Sequence, residues 1–157
     1  MKYINTSVLA IVTALFLTGA QAGWEDYKEK TLAATIEEHK EMVGTVDFNY
    51  VPRYPMLVFA RVTEEARNTP ESQLRVIRGW LKSIGQKEEI AELYLQQIKV
   101  EEKGEFYWLA VQKPLIPYID SELKNGDFVW LYVAWVGNYK SDWVFLINEF
   151  EKAEFNQ

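Results

Sequence analysis

The chain has 157 residues, of which 15% are aromatic, with no cysteine, one histidine and a formal net charge of −6. The missing cysteine excludes thiol catalysis, thiolate zinc sites and disulfides. The acidity repels nucleic acid phosphates and anionic lipid headgroups, and the length suits one domain or a small domain with an appendage.

Residues 1–22 read as a signal peptide. Lys2 supplies a positive start, and 8–17 is an apolar stretch broken only by Thr13, too short to span a bilayer. Ala20-Gln21-Ala22 is a small-x-small cleavage pattern, so the mature chain is expected to begin at Gly23. The expected location is periplasmic or secreted, with no stable membrane insertion after cleavage. An uncleaved anchor is the plain alternative.

Residues 23–55 read as an N-terminal helical segment. Leu32, Ile36, His39 and Val43 fall on one face of a helix predicted over 23–43, and Gly44 suits its end. Pro52 and Pro55 then hold an extended or turning stretch.

Residues 56–157 read as a small β-barrel domain with an inserted helix. The run 56–62 is predicted as a strand, with a helix start behind Pro55 as the alternative. The clearest element is a helix over 70–84. Thr69 is the expected cap, Pro70 and Glu71 suit its first turn, and Leu74, Ile77, Leu81 and Ile84 form its apolar stripe before Gly85. A helical turn over 86–91 leads to strands 94–101 and 105–112, joined across Glu102-Lys103-Gly104 with a positive φ expected at Gly104. Pro114 and Pro117 end the second strand, a short helix covers 118–123, and Asn125-Gly126 turns into a last hairpin over 127–150. The first strand of that hairpin is apolar at both parities. Phe128, Trp130, Tyr132 and Ala134 face one way; Val129, Leu131, Val133 and Trp135 face the other. Such a strand demands cover on both faces, or else one face is a binding surface.

This order of strand, inserted helix, two strands, short helix and two strands resembles the OB-fold over roughly residues 56–150. The resemblance is to a superfold and rests on no sequence motif; an SH3-like barrel is the competitor. The expected fold is therefore α+β: a small five-stranded antiparallel barrel with an N-terminal helix and an inserted helix.

No catalytic, metal or cofactor constellation stands out. His39 has no second histidine at ligand spacing and reads as a packing residue. The run from Asp120 to Asp127 imitates a calcium loop, but its glycine falls one place late and Lys124 occupies a ligand position. Carboxylates such as Glu122, Asp142 and Glu149 are numerous, which by itself points to a solvated surface. The aromatic set Tyr107, Trp108, Trp130, Tyr132, Trp135, Tyr139 and Trp143 rises above that background. Core packing is the plain account of most of it. Trp135, Tyr139 and Trp143, near the last hairpin turn, are the expected ligand-binding residues. The expected function is an exported, non-catalytic binding or accessory module for a protein, peptide or glycan, with nucleic acid disfavoured. The alternative is a cell-envelope polymer hydrolase using paired carboxylates across a cleft.

Overall fold

The computed structural model describes residues 23–43 and 47–154; the signal-peptide reading of 1–22 and the stop at Gly44 lie outside the described residues. A 3-10 turn at Trp24–Asp26 is followed by strand β1 (Lys28–Glu29), helix α1 (Leu32–Val43) and strand β2 (Phe48–Tyr50). Next come β3 (Pro55–Asn68), α2 (Glu71–Ser83), a 3-10 stretch at Glu88–Tyr94 and the hairpin of β4 (Gln96–Glu102) and β5 (Glu105–Val111). A 3-10 turn at Lys113–Leu115 runs into α3 (Ile116–Glu122), and the chain finishes with β6 (Phe128–Tyr139) and β7 (Asp142–Lys152).

Five of these strands close into a barrel in the order β3-β4-β5-β7-β6, with β6 returning to β3. The closing register pairs Pro55 with Ala134 through to Arg61 with Phe128. The α+β small barrel is therefore present, in the OB-like order, but it is mixed rather than antiparallel. β5 and β7 run parallel, pairing Ala110 with Leu146 and Val111 with Ile147. The reason is topological. Directions cannot alternate around a closed ring of five strands, so with the other four pairs antiparallel β5 and β7 must run parallel. β1 adds to β3 in parallel and β2 adds to β6 antiparallel, so both ends of the 23–55 segment join the same sheet.

The two parities of β6 separate cleanly. Val129, Leu131, Val133 and Trp135 are buried inside the barrel with Met56, Val58, Leu109, Val111 and Ile147. Phe128 is exposed, while Trp130, Tyr132 and Ala134 are half-buried on the outside. A second core lies outside the barrel wall, where α2 packs Leu74, Val76, Ile77 and Leu81 over Ala110, Val136, Val144 and Leu146. The predicted 70–84 helix, observed over Glu71–Ser83, thus covers the barrel with Leu74, Ile77 and Leu81 of its expected stripe, while Ile84 is its C-terminal cap. Thr69 does not cap it: its hydroxyl donates to the Tyr94 carbonyl at 2.6 Å, and Pro70 occupies the capping position.

The N-terminal helix is shorter than the periodicity suggests. The Glu102 carboxylate accepts the Leu32 and Ala33 N–H groups at 2.9 and 3.2 Å, and Thr31 Oγ1 accepts that of Ala34 at 3.1 Å. These bonds satisfy the first-turn donors and fix the start at Leu32. The strand predicted over 56–62 is longer than expected, because a bulge between Val62 and Ala66 lets β3 pair again with β4 through Asn68. β2 has only three residues, too few to show a period.

Gly137 sits where β6 shifts register, at φ +146°, and a Cβ there would run into the Asn49 carbonyl oxygen of β2. Gly137→Ala combines that collision with a left-handed backbone and should cost at least about 2 kcal/mol in urea unfolding. A change under about 0.5 kcal/mol would show that β2 does not need this close approach.

Candidate functional site

Trp135 is 1% exposed and lies within the barrel, its indole N–H donating to the Gly137 carbonyl at 2.9 Å. It is the centre of an aromatic cluster beside α1. Trp143 lies 4.8 Å from it, Tyr54 meets it edge-on at 5.2 Å, and His39 lies 4.9 Å away. His39 is half-buried, with Nδ1 2.9 Å from the Thr35 carbonyl, so that nitrogen carries the donated proton. Trp143 is half-buried against the barrel core. Tyr139, also half-buried, packs elsewhere, 4.8 Å from Phe48 in the core under α2. Pairing explains the separation: Trp143 opposes Asn138 while Tyr139 opposes Asp142, which places the two rings on opposite faces of the hairpin. Trp135 and Trp143 are brought together, and Tyr139 is not joined to them.

The outer parity of β6 assembles a different aromatic group. Trp130 lies 4.8 Å from Phe59, and Phe59 stacks on Phe128 at 5.3 Å with 6° between planes. At the other end Trp24 meets Tyr132 edge-on at 5.0 Å and Tyr27 meets it at 5.3 Å. The N-terminal arm thus extends a strip that starts on β3 and β6. Phe128 is 38% and Trp24 43% exposed, so the strip reaches solvent at both ends. Sequence pattern places Phe128, Trp130 and Tyr132 on one parity of β6, but gives no sign of Trp24 and Phe59 beside them. For Phe59 the signal is the outer parity that β3 shares with β6, which needs the register to be known; Trp24, in the 3-10 turn, has no such signal.

Two carboxylates border this strip. Glu149 is paired with Tyr132 and Glu151 with Trp130 across β6 and β7. Burial pushes the Glu149 carboxyl above its ordinary range; its bond from the Phe150 N–H at 2.9 Å works against that, and Glu122 adds to it. Burial likewise raises the Tyr132 hydroxyl, helped by Glu151 and Glu149. Beneath the arm, the Asn148 amide reaches the Tyr27 hydroxyl at 3.4 Å, and the Tyr94 hydroxyl donates to the Asn148 carbonyl oxygen at 2.8 Å.

A second outer group lies on β4 and β5, the strand pair that OB-like barrels commonly use for ligands. Phe106 is 55% exposed, and Trp108 is half-buried. Here the chain supplies its own cations. The Arg67 guanidinium lies 4.3 Å from the Trp108 ring, and Lys99 Nζ lies 4.9 Å from the Phe106 ring. Both cations are also held by acceptors, Arg67 by Gln97 at 2.7 Å and Lys99 by Glu65 at 2.8 Å.

The calcium-like run has a structural use. One oxygen of Asp127 accepts the Lys124 N–H at 2.9 Å and Lys152 Nζ at 2.7 Å, and these bonds hold its carboxyl below the usual range. Among the described residues no group of three or more His, Asp and Glu is placed to hold a metal ion, and no helix is long and apolar enough to cross a membrane. No protein-family model matches the chain, and neither does any curated protein.

Glu149 gives a pH test of the strip. Its folded-state pKa is raised, so the ionised form penalises the folded state at neutral pH, and stability is regained as the pH falls through that raised value. Glu149→Gln should therefore be more stable than the wild type at neutral pH, with the difference vanishing below about pH 4, where the unfolded carboxyl is protonated too. Urea unfolding across that range checks it; a variant less stable than wild type at neutral pH would mean that the carboxylate is compensated.

Proposed function

We propose that this chain is an exported, non-catalytic binding or accessory module that recognises a protein, peptide or glycan through its barrel aromatics. The observation that carries this reading is the aromatic strip on the outer face of β3 and β6. Burial of Trp135 and its neighbours already fills the barrel, so the outer rings are surplus to its core. Apolar rings that remain partly open on a wall with no helix over them among the described residues are costly in water and useful in contact. Flat rings stack on sugars or peptide side chains, and Trp and Tyr anchor many interfaces. Trp143, half-exposed with Trp135 behind it, and Tyr139 are separate aromatic positions that a ligand would meet at the hairpin turn. The leader-like residues 1–22 support the exported part of the proposal.

A hydrolase is the second reading, favoured by one observation: the half-buried Glu149 carboxyl, raised by burial with Glu122 adding to the shift. A raised carboxyl is what a general acid requires. Its cross-strand neighbour, however, is a tyrosine on the same open strand face.

The test has two parts. Intact mass of the exported protein should correspond to a chain beginning at Gly23; a form retaining Met1 in the membrane fraction would contradict export with cleavage. Glycan and peptide arrays probed with wild type and with Phe128→Ala/Trp130→Ala should show ligands that the double variant loses while its near-ultraviolet circular dichroism still reports a packed core. Identical array profiles would remove the strip from the function. Turnover of envelope polymer, abolished by Glu149→Gln, would establish the hydrolase instead.

A further inference from the structure

We propose that the β3–β6 outer face docks an extended basic peptide segment of a partner protein, its Lys or Arg side chains set between the Trp130 and Tyr132 rings and the Glu149 and Glu151 carboxylates. This rests on the binding-module reading and names the occupant of the same face.

The grounds are charge complementarity and a contrast between two faces of one barrel. On β5 the rings of Phe106 and Trp108 are topped by Lys99 and Arg67. On β6 no cation of the described residues lies over Trp130 or Tyr132, and neither Glu149 nor Glu151 has an ion-pair partner among the described residues. The nearby cations are engaged elsewhere: Arg61 with Glu101, Arg53 with Asp26, and Lys152 with Asp127. One face thus carries rings with cations in place, and the other carries rings and carboxylates with the cation missing. An ammonium or guanidinium there gains a ring face and an anion together, and both attractions strengthen as water is excluded. Burial already disfavours the ionised Glu149, and an incoming cation would relieve that penalty.

The geometry also selects how the segment is read. β6 is hydrogen-bonded to β3 on one side and to β7 on the other, so it offers no free strand edge. Strand addition to β6 is therefore closed, and recognition at Trp130 and Tyr132 is by side chains. Glu149 and Glu151 lie two residues apart on one face of β7, a spacing of roughly 7 Å. An extended peptide presents alternate side chains at about the same repeat, so cationic residues at every second position match the carboxylates in register.

Fluorescence anisotropy of the mature protein with a short peptide alternating Lys and Ser tests this, with a Gln-for-Lys peptide as control. The basic peptide should bind and the Gln peptide should not. Glu149→Gln/Glu151→Gln and Trp130→Ala should each weaken binding by at least about tenfold, the former without loss of thermal stability. Glu64→Gln/Glu88→Gln removes the same charge from exposed sites elsewhere and should leave the affinity within about twofold. Equal losses in the two carboxylate pairs, or no binding of the basic peptide, would overturn the proposal. If a neutral peptide or a glycan binds and is lost in Trp130→Ala but not in Glu149→Gln/Glu151→Gln, the basic-peptide inference fails while the binding-module reading stands. If no ligand of any class depends on Trp130, both fail.

Discussion

The return of β6 to β3 is the constraint on which the rest depends. It closes the barrel and pairs both edges of one strand, so β6 exposes neither N–H nor C=O rows to water. It also decides which side chains are core. Once Ala60 is set against Val129 and Val58 against Leu131, one parity of both strands must point inward. Phe59, Trp130 and Phe128 are then left outside by the same pairing that buries Leu131 and Val133.

Among the described residues three helices cover what closure leaves open, α3 by packing Ile116 and Ile119 against the barrel core. α1 is tied to β4 through Glu102, a buried carboxylate whose oxygens take the first N–H groups of the helix. Its Leu32 enters the barrel core, and Ile36 packs against that core. α2 covers β5, β7 and the far end of β6, where Val136, on the outer parity of Ala134, joins the second core. Among the described residues no such helix covers the wall of β3 and the first half of β6. Among the described residues its cover is the N-terminal arm, which lays Trp24 and Tyr27 on Tyr132.

Much of this was legible in the sequence where local chemistry is decisive. Pro70, the stripe through Leu81 and the positive φ of Gly85 (74°) marked α2, and Gly104 at φ 88° with Lys103 at 52° made the expected tight turn between β4 and β5. What depends on partners far along the chain was not legible. Nothing near Leu32 announces that its cap comes from Glu102. The parallel pairing of β5 with β7 involves two residues on each strand and leaves no local mark. The candidate site shows the same limit. The parity split of β6 was visible, but both parities are apolar, and only the pairing decides that Trp135 is inside and Trp130 outside. Trp143 is expected to bind a ligand because it lies near the hairpin turn, but strand alternation packs its ring against Trp135.

We propose that the first half of β6 divides its labour, with the inner face for stability and the outer face for contact. The most direct test compares the unfolding free energies of Trp130→Ala and Trp135→Ala in urea. Two tryptophans on one strand, truncated identically, should differ sharply. Trp135→Ala should cost about 3–5 kcal/mol and Trp130→Ala no more than about 1 kcal/mol. Equal costs would mean that the outer face is as much a part of the folded core as the inner one, and would contradict the account.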